Sequence, residues 1–179
     1  SNIVRVFIYD ELINDKIYKE LGFSFTTKYS VTLSAWKRVF NKVPADNEGN
    51  EGLGQANIVP THDNLGMMIG MIYGMEEEKL AGLDRHYQYP DEYDRRIMSL
   101  TRHDFSETKG YIYIAQKDKV GEDLKPSKAM MKKYRGAKKH FQMLHHSALM
   151  MTNRWYGAHG YVYGYYHARS RCYYDGCDC

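Results

Sequence analysis

The sequence predicts a single α+β domain, in which about six strands are interleaved with three helices. Two observations support this prediction. Alternating segments rich in β-branched and aromatic residues recur along the chain at strand length, and segments with helical features lie between them. The chain has 179 residues, of which 43% are hydrophobic, so it is long enough to bury one core without disulfide bonds.

The N-terminal part contributes two of the predicted strands and one helix. Residues 3–9 (IVRVFIY) alternate and are β-branched, which predicts the first strand. Residues 10–22 predict a short helix that ends at Gly22, since glycine commonly follows a helix C-terminus. Residues 29–41 alternate again and predict one further strand. The Gly- and Asn-rich segment 42–55 predicts a loop whose length is typical of functional loops.

The middle of the chain contains the remaining strands. Residues 56–60 and 67–75 are apolar runs that predict two buried strands. Residues 76–87 predict a helix, because acidic side chains in its first turn interact favourably with the helix dipole. Residues 94–103 and 108–116 alternate on either side of a short polar segment, and they predict a hairpin.

The C-terminal part combines a long predicted helix with a segment of different composition. Residues 126–152 predict the longest helix. Its apolar positions recur every three or four residues, at Met130, Tyr134, Ala137, Phe141, Leu144 and Ala148. Glycine and tyrosine alternate beyond this helix. We therefore expect one domain over residues 1–152 and a Tyr/Gly/Cys-rich extension over residues 153–179.

The charge and the cysteines of the C-terminal region leave several interpretations open. From Lys125 onward there are ten Lys or Arg and two Asp, which indicates either an anion-binding patch or a solvated helix face. The three cysteines, Cys172, Cys177 and Cys179, all lie in the last eight residues, so no disulfide framework is expected. With His159 and His167 nearby they could ligate zinc or copper(I), but their spacing favours a free-thiol arm, and we predict no metal site.

The composition argues against several functional classes. The N-terminus has no basic segment followed by a long apolar run, and no apolar stretch has membrane-spanning length. A soluble, cytoplasmic protein without a cofactor is therefore expected. Its partner is expected to be a small-molecule or peptide ligand, and a homodimer remains an open alternative. Tyrosines and arginines of the tail could stack on nucleobases, but no RNA-binding signature is present, so nucleic acid is not expected.

Five segments resemble the γ-glutamylcyclotransferase-like family, which includes γ-glutamylamine cyclotransferases and plant avirulence-induced proteins. They occur in the family's order over roughly residues 4–140. VFIYDEL (6–12) is similar to the family's first strand and loop. YPDEYDRRIMSL (89–100) resembles the segment that follows the family's catalytic glutamate. The other three are EGLGQANIVP, GMIYGMEEEKLAGLD and KPSKAMMKKYRGAKKH.

The resemblance implies a fold and a reaction. The fold would be a small mixed-strand β-barrel with surrounding helices. In the family, the loop after the first strand binds the γ-glutamyl carboxylate through backbone N–H groups. A glutamate then takes a proton from the α-amine, which attacks the γ-carbonyl and releases 5-oxoproline.

The sequence departs from this family pattern at two places. When this segment is aligned with the family's motif on Leu83 and Asp84, Tyr87 occupies the position of the catalytic glutamate. A phenol titrates near pH 10, so at pH 7 it is a poor base. The loop after the first strand carries Asp10 and Glu11 where the family has Gly and Ser or Thr. Two carboxylates there would repel the carboxylate of a γ-glutamyl ligand.

These comparisons yield the candidate site residues. We expect Tyr87 to orient a ligand or act as an acid, and Glu11 to be the candidate base. Six further residues are expected to bind the ligand: Tyr9, Asp10, Leu12, Gly54, Ala56 and Tyr93. Glu51 and Glu92 are alternative replacements for the missing glutamate. One of Arg95 and Arg96 would face the cleft and bind an anion, or both would pair with surface acids.

Two hypotheses about function follow. The first is a divergent binding protein that holds a small amine, amino-acyl or peptide ligand in the barrel cleft and lacks Glu-dependent formation of 5-oxoproline. The alternative is an active cyclotransferase that uses a substitute base on a γ-glutamyl or related amide substrate.

Overall fold

The computed structural model describes residues 2–61 and 66–135, together with three short strands near the C-terminus. For residues 134–135 and for those three strands only the backbone is described. The short strands are Tyr161–Val162, Tyr166–His167 and Arg171–Cys172, and they form an antiparallel sheet. The predicted boundary between residues 152 and 153 and the side chains of Cys172, Cys177 and Cys179 lie outside the described residues.

A closed five-stranded barrel forms the body of the protein, which confirms the predicted α+β barrel. Its strands are β1 (Ile3–Ile8), β2 (Thr27–Ser34), β5 (Met67–Glu76), β6 (Tyr93–Arg102) and β7 (Glu107–Ala115). They follow one another around the barrel in the order β1, β5, β2, β6, β7. All neighbours are antiparallel except β1 and β7, which pair in parallel where Val6 lies opposite Tyr111. The predicted hairpin is therefore present as β6 and β7.

The single strand predicted over residues 29–41 is wrong, because the chain turns sharply at Ala35. That residue has a left-handed φ of 68° and separates β2 from β3 (Trp36–Lys42). Its N–H donates to the Gly66 carbonyl, and its carbonyl accepts from the Thr61 N–H. The turn moves β3 out of the barrel, so that it pairs with β4 (Gln55–Pro60) in a separate two-stranded sheet.

The predicted helices are shorter than expected because each contains a break. The segment predicted over residues 10–22 forms a 3₁₀ turn (Glu11–Ile13) and then α1 (Asp15–Glu20). Asn14 separates them, since its side chain accepts from the Lys16 N–H and caps α1. Gly22 follows the helix end with positive φ, as predicted.

The other two predicted helices also differ from their predicted bounds. The segment 76–87 begins with a 3₁₀ turn (Glu77–Lys79) and continues as α2 (Leu80–His86). The described part of the long C-terminal helix is α3 (Lys128–Arg135), and the rest of the predicted span lies outside the described residues. No helix in the described ranges is long and apolar enough to cross a membrane.

A buried arginine connects the two sheets at the end of β1. Arg38 on β3 is fully buried, and its Nε donates to the Tyr9 carbonyl at 2.6 Å. Its Nη2 donates to the Ile69 carbonyl on β5 at 2.9 Å. A buried charge requires such partners, because transfer of an unpaired guanidinium out of water is very unfavourable. Arg38 therefore fixes the point at which β1 ends and the next loop begins.

The left-handed conformation of Ala35 yields a stability prediction. Replacing Ala35 with glycine is expected to raise the free energy of unfolding by about 1 kcal/mol, because glycine adopts positive φ without steric cost. Ala81→Gly on the exposed side of α2 is a matched control, and it should lower the same quantity by about 1 kcal/mol. Urea-induced unfolding measures both variants. Equal destabilisation by both would contradict the role given to Ala35.

Candidate functional site

The loop after β1 places two adjacent acids at a cavity. Asp10 is 8% exposed and precedes the 3₁₀ turn, and its Oδ1 accepts from the Leu12 N–H at 3.0 Å. This side chain therefore caps the turn in the manner typical of aspartate. Glu11 is the first residue of the turn and is partly buried, whereas the following Leu12 and Ile13 are packed in the core. The two buried apolar side chains hold the acids at the end of the barrel.

Tyr87 reaches the same place from α2. It is the residue after the last turn of that helix, where its N–H donates to the Leu83 carbonyl. Its ring is buried, and its hydroxyl donates to Asp10 Oδ2 at 2.7 Å. Asp10 thus accepts one hydrogen bond on each carboxylate oxygen. This contact joins the loop after β1 to the end of α2, although the two residues are 77 positions apart in the sequence.

Tyr113 on β7 holds the ring of Tyr87 in position. The two rings stack with centroids 4.3 Å apart and planes inclined by 19°. The Tyr113 hydroxyl donates to Asp84 Oδ1 at 2.6 Å, and Arg95 Nη1 donates to the same carboxylate. The Arg95 guanidinium lies over the rings of Tyr89 and Tyr111, 4.6 and 5.0 Å from their centroids. These contacts fix the plane in which Tyr87 lies.

Two other tyrosines complete the aromatic wall. The Tyr9 hydroxyl donates to the Tyr113 carbonyl, which links the residue after β1 to β7. The Tyr93 hydroxyl donates to the Ala56 carbonyl at 2.8 Å. The rings of Tyr87 and Tyr93 stand edge to face, with centroids 5.4 Å apart and an interplanar angle of 74°.

Two neighbouring cavities have four lining residues in common. The smaller cavity, called the inner chamber below, has a volume of about 110 Å³, and the larger, called the outer chamber, has a volume of about 380 Å³. The four shared residues, called the collar below, are Gln55, His86, Tyr87 and Tyr93. The inner chamber is also lined by Asp10, Glu11, Ala56 and Met130. The outer chamber is also lined by Lys42, Pro44, Ala45, Asp46, Asn50 and Gln88.

The structure brings together some of the residues predicted from the sequence. Five of the eight candidates line the inner chamber, namely Asp10, Glu11, Ala56, Tyr87 and Tyr93. The other three, Tyr9, Leu12 and Gly54, line neither chamber. Gly54 has a structural reason to be glycine, because a Cβ there would lie 2.1 Å from the Phe40 carbonyl oxygen.

Three residues that line the inner chamber were missed by the sequence analysis: Gln55, His86 and Met130. Gln55 lies between two residues that were assigned to the site. His86 directly precedes Tyr87, so its proximity was visible in the sequence, but its position depends on where α2 ends. Met130 falls on the predicted apolar stripe of the last helix, and that pattern indicates burial without specifying the partner.

The alternative acids and both arginines lie elsewhere. Glu92 accepts from Lys42 Nζ at 2.9 Å and lies 3.3 Å from Lys119 Nζ, and these partners lower its pKa. Glu51 is exposed in the turn before β4. Arg95 is paired with Asp84, and Arg96 forms an exposed ion pair with Asp94. Both arginines therefore pair with acids, which was the second of the two alternatives expected from the sequence.

Burial controls the protonation of the acidic pair. Burial raises the pKa of Glu11 to about 8, and the neighbouring Asp10 charge acts in the same direction, whereas the positive charge of Lys133 acts in the opposite direction. Burial also raises the pKa of Asp10, against the opposing effect of the hydrogen bond from Tyr87. Burial and then the Asp10 charge hold the pKa of Tyr87 well above 10. The Tyr87 phenol therefore stays protonated at neutral pH, whereas Glu11 can exchange a proton near pH 8.

A metal site is not evident at this cavity. Within residues 2–61 and 66–135, no group of three or more His, Cys, Asp or Glu side chains is arranged to hold an ion. The cysteine-rich tail, where a zinc or copper(I) site was considered, lies outside the described residues.

Comparison with known families identifies the family to which this chain belongs. A family model described as "Gamma-glutamyl cyclotransferase, AIG2-like" matches residues 6–135. The chain belongs to this family. The matched residues include the second half of β1, the other four barrel strands and the residues that line the cavity. A search of curated proteins finds no significant match.

Several solved structures are similar to this chain in fold. A gamma-glutamyl cyclotransferase superposes with a TM-score of 0.66 at 14% identity, over 83% of this chain and 87% of that chain. A glutathione-specific gamma-glutamyl cyclotransferase from yeast gives 0.59 at 14% identity, over 89% and 99%. YkqA from Bacillus subtilis gives 0.66 at 13% identity, over 84% and 54%. These identities are low, so the comparison shows the shared fold alone.

The raised pKa of Glu11 predicts how stability depends on pH. Between about pH 4.5 and about pH 8 the folded protein retains a proton on Glu11 that the unfolded chain has released. The free energy of unfolding should therefore fall as pH rises through this window, by at most about 1.4 kcal/mol per pH unit. Glu11→Gln should remove this contribution, whereas Glu51→Gln, at an exposed position, should retain it. Parallel pH profiles for wild type and Glu11→Gln in urea unfolding would refute the assignment.

The hydrogen bond between Tyr87 and Asp10 yields a second prediction. Tyr87→Phe is expected to lower the free energy of unfolding by about 2 kcal/mol, since a buried carboxylate loses a donor. Tyr93→Phe, which removes a hydroxyl bonded to a neutral carbonyl, should cost about 1 kcal/mol. Denaturant unfolding at pH 8 compares the two variants. An equal or smaller loss for Tyr87→Phe would mean that Asp10 does not depend on the phenol.

Proposed function

We propose that this chain is a ligand-binding member of the cyclotransferase family. Its cleft holds the ammonium group of a small amine, amino-acyl or peptide ligand, and it does not catalyse Glu-dependent ring closure. The observation that carries the proposal is the contact between Tyr87 and Asp10. At the place where the resemblance puts the catalytic glutamate, a protonated phenol donates its hydrogen bond to a carboxylate.

The chemistry of the collar argues against the family's usual base at this position. Ring closure requires a group that takes a proton from the ligand's α-amine. The Tyr87 hydroxyl holds its own proton, which is directed at Asp10. Burial and the nearby negative charge both oppose its ionisation. The phenol therefore acts as a hydrogen-bond donor that keeps Asp10 in place.

The same geometry favours a cationic group in the inner chamber. Asp10 and Glu11 both line it, and a ligand carboxylate at about 4 Å from an ionised acid would be repelled by about 4 kcal/mol at intermediate dielectric. An ammonium group at the same place would be attracted to the ionised acid. The aromatic wall already accommodates one cation, because Lys42 Nζ lies 5.3 Å from the centroid of the Tyr93 ring.

One observation favours a second candidate function. The pKa of Glu11 is raised to about 8, which suits a general base working near neutral pH. In that case Glu11 would take the proton from an α-amine, whose nitrogen would bond to the γ-carbonyl carbon. The bond from that carbon to the leaving amine would break, and the proton would pass to the leaving nitrogen. Such a protein would be a cyclotransferase with a substitute base.

An assay of 5-oxoproline release distinguishes the two functions. Wild type is expected to release none from γ-glutamyl amines or γ-glutamyl dipeptides, while simple primary amines raise its melting temperature. Tyr87→Glu should also release none, because the loop acids that repel a γ-glutamyl carboxylate remain. Asp10→Asn should abolish the thermal shift by amines, whereas Glu51→Gln should leave it unchanged.

The two opposing outcomes are also distinct. Efficient release of 5-oxoproline by wild type would overturn the binding proposal. Loss of that release in Glu11→Gln, with folding retained by circular dichroism, would then assign Glu11 as the base.

A further inference from the structure

We propose that the ligand is a linear aliphatic diamine, with one ammonium group in the inner chamber and the second in the outer chamber near Asp46. This inference rests on the proposed function, because it specifies which amines the cleft prefers. It is carried by the sizes of the chambers, the collar between them and the charges that line each one.

The inner chamber limits the size of the group that enters it. Its volume of about 110 Å³ is less than a third of the 380 Å³ of the outer chamber. An unbranched aminoalkyl end is slimmer than a branched head that carries both an amine and a carboxylate, so it suits the smaller chamber better. The larger outer chamber, of about 380 Å³, accommodates the remainder of the ligand.

The collar favours a thin, apolar connection between the two ends. Tyr87 and Tyr93 present ring surfaces on this part of the wall, and their edge-to-face arrangement is fixed by hydrogen bonds at both hydroxyls. Gln55 is the neutral polar member of the collar. Methylene groups that pass the rings bury apolar surface, which is favourable. A polymethylene chain therefore matches the connection better than a charged or branched one.

The outer chamber has no cation available for a ligand carboxylate among its described Lys and Arg side chains. Lys42 is the one such residue that lines it, and this side chain is 1% exposed. Its Nζ donates to Glu92 Oε1 at 2.9 Å and to the Val43 carbonyl at 2.6 Å. Asn50, Gln55 and Gln88 contribute neutral amides.

Asp46 contributes the negative charge of the outer chamber. It is exposed in the loop after β3, where its Oδ1 accepts from the Glu48 N–H at 3.2 Å. Its carbonyl accepts from Asn50 Nδ2 at 2.8 Å, so the loop is held by its own side chains. Asparagine can accept the same N–H bond through its amide oxygen. Asp46→Asn therefore removes the charge and keeps the turn.

His86, which is exposed, is the remaining residue of the collar. The experiment is performed at pH 8, near the pKa of Glu11.

Isothermal titration calorimetry with three probes tests the inference. The probes are 1,5-diaminopentane, 1-aminopentane and 6-aminohexanoate, which share a similar chain and differ in the group at the second end. The diamine is expected to bind about fivefold more tightly than the monoamine, which corresponds to one partly exposed ion pair. The aminohexanoate is expected to bind most weakly.

Variants in one loop provide the matched control. Asp46→Asn should reduce the affinity for the diamine to that for the monoamine and leave monoamine binding unchanged. Glu48→Gln removes one charge from the same loop at a residue outside both chambers, and it should change neither affinity.

The possible failures are separable. If the monoamine binds as tightly as the diamine, or Glu48→Gln acts like Asp46→Asn, the diamine preference is refuted while the proposed function stands. If 6-aminohexanoate binds as tightly as the diamine, the preference is refuted in the same way. If neither amine binds wild type, the proposed function itself fails.

Discussion

The hydrogen bond from the Tyr87 hydroxyl to the Asp10 carboxylate connects the parts of the molecule that form the cleft. Asp10 belongs to the loop after β1, and Tyr87 ends α2, so the contact closes the cavity between a strand and a helix that are distant in sequence. The same carboxylate caps the 3₁₀ turn through the Leu12 N–H. A buried carboxylate needs donors for both oxygens, and this fold supplies one from the loop and one from the helix.

Tyr113 extends this arrangement into the barrel. Its ring stacks on Tyr87, its hydroxyl is bonded to Asp84 and its carbonyl accepts from Tyr9. A single residue of β7 therefore orients the collar and ties it to β1. Arg38 fixes the Tyr9 carbonyl from the opposite side. The acids at the end of β1 are consequently held by contacts from β3, β7 and α2, and their separation from the phenol is set by the fold.

The sequence predicted the hairpin because alternation along β6 and β7 is a local property, whereas the barrel was predicted through the family resemblance. It missed the break at Ala35, since alanine has no preference for positive φ and only the bonds to Gly66 and Thr61 impose it. The side of the cleft formed by Asp10, Glu11 and Tyr87 was reached through the resemblance. The roles of Arg38 and Lys42 depend on partners far away in the chain, and no local pattern indicates that these two charged side chains are buried.

The paired acids couple folding, protonation and binding. Folding buries Glu11 beside its sequence neighbour Asp10, and the raised pKa of Glu11 means that it largely keeps its proton at neutral pH. An ammonium group in the inner chamber would favour the ionised form, so binding of an amine is accompanied by loss of that proton. Stability and affinity then respond to pH in opposite directions: a rise toward pH 8 weakens the empty fold and strengthens its attraction for a cation. Glu11 could act as the base for ring closure or as the carboxylate that binds an ammonium ion. What separates these two roles is whether a γ-glutamyl carboxylate can approach the acids of the loop after β1.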